Sequence, residues 1–214
     1  MGSPLYLLRE PELFVAFLVA VIVGITFHEF SHAAVASLQG DQTARSQGRV
    51  TLNPISHLDP LGSIAIIVAG FGWGRPVPVS PSRLRNRRFG HLLVGLAGPV
   101  ANFVVAIVSV IALRIALSPT DTAFNVNFTL TLLYYLVGVN IGLGVFNLLP
   151  IPPLDGSTLL SILLPPSRQN IVRFLEQYGI FLVLALLIFG STLLTPVIRS
   201  ITEAIYGLVG LSVG

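Results

Sequence analysis

The sequence predicts an all-α, multi-pass membrane protein: four main transmembrane helices, with a short membrane-dipping, partly extended element between the first and second. Three observations carry that expectation. The chain of 214 residues is 53% apolar and only 10% charged, with a mean hydropathy of +0.85, far from an ordinary soluble domain. Four apolar stretches reach the length of about 20 residues that a helix needs to cross the hydrocarbon core. Nine of the twelve arginines fall in the segments between those stretches.

Residues 13–38 form the first span, long enough to tilt. The N-terminus lacks a basic start and carries Glu10 and Glu12, so this run reads as a retained span rather than a cleaved signal. Residues 39–60 are polar and rich in turn formers, with strand character at Arg49-Val50-Thr51-Leu52. Residues 61–74 (LGSIAIIVAGFGWG) are apolar but number only 14 and contain four glycines. That is too short for a comfortable crossing, and it predicts an irregular or extended element that enters and leaves on one side. The re-entrant region as a whole covers about 48–74.

Pro76, Pro78 and Pro81 keep the next loop extended, and that loop holds Arg75, Arg83, Arg85, Arg87 and Arg88. Residues 90–117 form the second span, the loop 118–127 holds Asp121 and Asn125, and residues 128–149 form the third. A polar stretch at 165–176 precedes a fourth span at 178–197, and 198–214 reads as a weakly amphipathic tail. No repeat or low-complexity linker divides the chain, so 1–214 is read as a single membrane-embedded domain.

Composition also excludes some functions. With no cysteine there are no disulfides, no thiolate metal ligands and no cysteine nucleophile. Basic loops flanking spans set membrane orientation, which accounts for the arginine cluster without a nucleic-acid partner. The arginine-rich segments 39–60, 75–89 and 165–176 share one side. Arg9, Arg199 and Arg114 belong to the other, so the rich side is cytoplasmic.

Inside the first span lies Phe27-His28-Glu29-Phe30-Ser31-His32. On a helix, His28 and His32 project from one face a single turn apart. Two neutral imidazoles at that separation can share a zinc ion, with Glu29 beside them to take a proton from a metal-activated water. The bland alternative is a polar cluster that joins helices through hydrogen bonds. Ionisable groups at membrane depth are expensive, however, and three within five residues favour a site.

A hydrolytic zinc takes three protein ligands. Of the residues left, His57 and His91 fall outside the expected membrane core. Asp155, just past the end of the third span, is the better third ligand, although an isolated Asp-Gly would ordinarily be a turn. If these groups meet, the first and third spans run in the same direction and the second runs antiparallel between them.

Several motifs then carry a resemblance. HEFSH in the first span, AGPVANF in the second, NLLPIPPLDG after the third, and GRVTLNPISHLDPLGS followed by FGWGRPVPVSP resemble the site-2 protease family of intramembrane zinc metalloproteases. The chain resembles a minimal form, without a span before the HExxH helix and without a PDZ or CBS domain. The resemblance implies a zinc metalloendopeptidase with one zinc per chain on His28, His32 and Asp155, and Glu29 as catalytic base. It implies that Asn102 and Asn147 face the active site, as substrate-binding or oxyanion groups; the alternative for both is interhelical hydrogen bonding.

The expected partner is a membrane protein with a transmembrane segment, cleaved within the lipid bilayer. The expected location is a prokaryotic cell membrane, with the active site toward the cytoplasmic side. A helical substrate must be unwound before attack, and residues 48–54 and 61–72 are candidates for a strand edge to hold it. His57 is either a loop histidine or a gate. A catalytically silent metal-binding scaffold or chaperone and a metal-ion transporter are the other functional classes. The transporter is disfavoured because residues 178–197 offer few polar ligands beyond Ser191 and Thr192.

Overall fold

The computed structural model describes residues 9–117 and 128–212, so the 118–127 loop with Asp121 and Asn125 lies outside the described residues. Among the described residues eight α-helices follow in order: α1 Pro11–Leu38, α2 Thr43–Ser46, α3 Pro60–Ala69, α4 Arg87–Ala116, α5 Phe128–Asn147, α6 Ser157–Leu163, α7 Gln169–Phe189 and α8 Ser191–Gly207. Among the described residues, the extended pairing is one isolated antiparallel bridge, Leu58 to Gly74. Helices α1, α4, α5 and residues 170–189 of α7 are long and apolar enough to cross a membrane. The chain is an integral, multi-pass membrane protein.

Helices α1, α4 and α5 pack together as the central unit. Helix α1 offers a face of buried small residues, Ala16, Ala20, Gly24 and Ala36, with His28 and His32 set into the same row. A spacing of four keeps these residues on one side, and small side chains let neighbouring backbones approach closely.

The pairings fix the directions. Phe17 meets the ring of Tyr135, Gly24 lies against Asn140 and Leu143, and the histidines meet Asp155. Helices α1 and α5 therefore run parallel. On α4 the order reverses, with Gly98 against His28 and His32 and Asn102 bonded to the Gly24 carbonyl. Helix α4 is antiparallel to both.

Three sequence expectations need correction. Residues 61–72 are not a strand edge, because most of them form α3. The Asp59 carboxylate caps that helix by accepting from the Gly62 amide (2.8 Å), Pro60 opens it, and Gly70 ends it with φ of 79°. The glycines that suggested irregular backbone act instead at its cap and in close contact, with Gly62 against the backbone of Trp73. Residues 48–54 form bends and the start of a short 3-10 turn at Pro54–Ser56, not a strand. The Leu58–Gly74 bridge nevertheless brings the two ends of the excursion together.

The third correction concerns the C-terminal part. The fourth long helix spans Gln169–Phe189 rather than 178–197, because Gly190 ends it and starts α8. The tail is no loose appendage. Ile205 and Tyr206 of α8 are buried with Ala106, Val110, Leu113, Val137, Ile141 and Val145, closing the end of the bundle opposite the histidines.

At the histidine end, the loops on either side of the α3 excursion are tied together by Asp41, which is fully buried. Its carboxylate accepts from the amide and hydroxyl of Thr43 and from the Ser80 amide, while Arg83 donates to Thr43 Oγ1 (3.1 Å). Burial alone would raise the Asp41 pKa, but these hydrogen bonds and Arg83 together hold it below the ordinary value. Asp41→Ala is expected to lower stability by about 1–3 kcal/mol, the cost of stranding buried donors. Because the folded carboxyl titrates below its unfolded value, its contribution is present above about pH 4 and is lost as pH falls through the folded value. Thermal unfolding of both proteins across pH should show the gap closing in acid, and a constant gap would refute this.

Candidate metal centre

Two turns of α1 and one tight turn after α5 assemble the group. His28 Nε2 lies 2.9 Å and His32 Nε2 lies 3.2 Å from the same oxygen, Asp155 Oδ2. The three donor atoms all lie within 4.8 Å of one another. Asp155 is held in place by its own turn: Gly156 N–H donates to the Asn147 carbonyl (2.6 Å), and Thr158 N–H and Oγ1 donate to the Asp155 carbonyl. Position 156 must be glycine, since a Cβ there would run into the Leu148 carbonyl group.

The other ring nitrogens decide the chemistry. His32 Nδ1 lies 2.6 Å from the Val94 carbonyl oxygen, which can only accept, so Nδ1 carries the proton. His28 Nδ1 lies 2.6 Å from Asn102 Oδ1, another acceptor. In neutral rings both Nε2 atoms then present bare lone pairs to a carboxylate oxygen. Three electron-pair donors facing one another repel unless both rings are protonated or a cation lies between them. Tetrahedral zinc, at about 2.0–2.1 Å from its ligands, separates donor atoms by roughly 3.3 Å, near the 2.9 and 3.2 Å between the two imidazole nitrogens and Asp155 Oδ2. The donor set and its spacing fit a zinc-type divalent ion.

Helix α4 forms the roof. At Gly98 a Cβ would stand 2.6 Å from His28 Nε2 and closer still to His32 Nε2. The bare glycine leaves the space where the donors converge. Glu29, buried beside the histidines, faces the chain returning from α3: a Cβ at Gly74 would stand 2.8 Å from its Oε1. A cavity of about 230 Å³ opens onto the centre, lined by His32, Val77, Val79, His91, Val94, Gly95, Asp155 and Thr158.

The remaining residues singled out from sequence fall into different places. Asn102 is fully buried and its amide is spent: Oδ1 on His28, Nδ2 on the Gly24 carbonyl (3.1 Å) and on Asn140 Oδ1 (2.9 Å). It bonds His28 and joins three helices. Asn147 Nδ2 donates to the Leu143 carbonyl of its own helix (3.0 Å).

His57 is fully buried, and its Nε2 donates to the Thr51 carbonyl (2.7 Å). Burial pushes its pKa below the usual histidine value, so the ring stays neutral. It is not among the residues lining the cavity, and its Nδ1 is buried with no hydrogen-bond partner. Two residues escaped the sequence analysis. Asn140 is a fully buried asparagine in mid-span, and polarity at that depth was its signal. His91, expected outside the core, lines the cavity; nothing in its sequence neighbourhood announces that.

The rigid roof is open to test. Gly98→Ala places a methyl group on the donor atoms at an overpacking cost of about 1–3 kcal/mol. The purified variant should fold, yet its divalent-metal content by plasma mass spectrometry should fall roughly tenfold or more. Full metal content would refute the assignment of this space.

Comparisons with known proteins agree with the geometry. The model of Peptidase family M50 matches residues 113–190. The chain is 40% identical over 199 residues to YwhC of Bacillus subtilis, covering 89% of each chain. It is 32% identical over 189 residues to Rip2 of Mycolicibacterium smegmatis, covering 84% of this chain and 70% of that one. Both are provisionally named zinc metalloproteases. MJ0392 of Methanocaldococcus jannaschii, named a zinc metalloprotease, is 26% identical over 88% of this chain and 46% of its own. No solved structure matches. With similarity of this extent to YwhC, and with motifs in the order the site-2 protease resemblance implied, the chain belongs to peptidase family M50.

Proposed function

We propose that this protein is an intramembrane zinc metalloprotease that hydrolyses peptide bonds in or near the transmembrane segments of other membrane proteins. One observation carries the reading: His28 Nε2, His32 Nε2 and Asp155 Oδ2 converge with Glu29 beside them, within the apolar helices. In this reading His28, His32 and Asp155 hold one zinc per chain. Bound there, zinc would supply Lewis acidity to a water molecule and to the scissile carbonyl.

The chain's own residues do the rest. Glu29 takes the proton of the attacking water and returns it to the leaving amine. Asn102 and the Val94 carbonyl hold the two imidazoles with Nε2 inward, so no reorientation is needed as charge develops. In this reading the cavity beside His32 and Asp155 is where an unwound substrate segment reaches the site. The site lies toward the end of the bundle that carries most of the arginines, which we assign to the cytoplasmic side of a prokaryotic cell membrane. Residues 1–214 act as one domain in this reading.

Two variants test it. Glu29→Gln should keep its zinc and lose activity by about 10²–10⁴-fold, measured by quantitative proteomics of membrane-spanning fragments in cells carrying either form. Unchanged cleavage would remove Glu29 as the base. Asp155→Ala should lose zinc during purification, and full occupancy would take Asp155 out of the ligand set.

A further inference from the structure

Between α3 and α4 the chain passes the mouth of the centre as an extended strap, residues 74–80. Its position is set from outside itself. Prolines 76 and 78 remove two amide donors, so the strap cannot build a full ladder of its own. At its start, Arg75 N–H donates to the His57 carbonyl (2.6 Å) beside the Leu58–Gly74 bridge. At its end, Ser80 N–H donates to Asp41. Between these anchors stands Arg49, only 5% exposed. One terminal nitrogen donates to the Arg75 carbonyl and the other to the Pro76 carbonyl (3.3 Å).

The strap in turn forms one wall of the site. Gly74 presses on Glu29, and Val77 and Val79 line the cavity that His32 and Asp155 share. Burying a guanidinium is costly, and here the cost is not fully recovered: Arg49 Nε has no hydrogen-bond partner. An apolar residue of similar volume would relieve that cost but could not grip two successive carbonyls.

We propose that Arg49 is a positioning residue for peptide hydrolysis. By clamping Arg75 and Pro76 it sets the distance of the strap from Glu29, and so aligns the wall along which the substrate chain lies. This rests on the metalloprotease reading above. Arg49 belongs neither to the ligand group nor to the cavity lining; its charge also acts on Glu29, and strap exchange is the readout that separates the backbone clamp from that charge.

The test uses the full chain in lipid nanodiscs, with fluorescein-labelled casein as the probe because an unfolded chain needs no unwinding. Wild type, Arg49→Gln, Arg49→Lys and Glu29→Gln are compared by zinc content, steady-state kinetics and hydrogen exchange. Arg49→Gln should keep its zinc and exchange faster across 74–80 but not within 95–106. Its kcat should fall about 10–100-fold, the effect of a misplaced reacting geometry, with apparent KM within about threefold of wild type.

Arg49→Lys retains the charge and one carbonyl bond, so it should fall between the two. Glu29→Gln should lose cleavage with strap exchange unchanged. Wild-type exchange across 74–80 in Arg49→Gln, a wild-type kcat, zinc loss in step with activity, or no recovery in Arg49→Lys would each overturn the proposal. A zinc-loaded wild type that leaves casein intact would count against the metalloprotease reading instead. Strap exchange in Arg49→Gln would then decide on the clamp alone.

Discussion

How near α4 can come to α1 governs most of this structure. At Gly98 the α4 backbone lies against the imidazoles of His28 and His32, and four residues further on Asn102 reaches the Gly24 carbonyl of α1. A side chain at position 98 would push the helices apart by the width of a methyl group. The Asn102–His28 and Val94–His32 bonds, both 2.6 Å, would then lengthen together. Close approach is therefore what converts two histidines on one helix into two aimed donor atoms.

Stability is a poor explanation for the buried polar network. Interhelical hydrogen bonds in a membrane contribute on average about 0.6 kcal/mol each. The bonds linking Asn102 to His28, Gly24 and Asn140 add little beyond what van der Waals packing of the small faces supplies. Their effect lies in orientation. Each imidazole has one nitrogen committed to an acceptor, so its tautomer and ring plane are fixed and the other nitrogen is left for the centre. The far end of the bundle shows the contrast. There Val110, Leu113, Val137, Ile141 and Tyr206 form a buried cluster held by side-chain packing.

The loops at the histidine end behave as part of the site rather than as connectors. Asp41 and Arg49, one acid and one base, are both buried and both spent on backbone groups of the chain leaving α3. Charges at these positions do what a sheet would do elsewhere. They hold an extended segment that, with prolines at alternate positions, has too few amides to hold itself.

Much of the centre was legible from sequence because its signals are local. The HExxH spacing sets two imidazoles on one helical face whatever surrounds them, and 14 apolar residues are too few to cross a bilayer comfortably wherever they sit. The length of the spans, their relative directions and Asp155 as the partner of the histidines followed from such constraints. The residues that finish the site carry no such local mark. Arg49 binds carbonyls 26 and 27 residues away, His91 enters the cavity because α4 begins beside the strap, and the 60–69 helix depends on an Asp59–Pro60 start that competed with four glycines. Carbonyl acceptors have no side chain to read and long-range backbone bonds leave no periodic trace. Only the folded arrangement of helices could decide which charges, turns and glycines came to surround His28, His32 and Asp155.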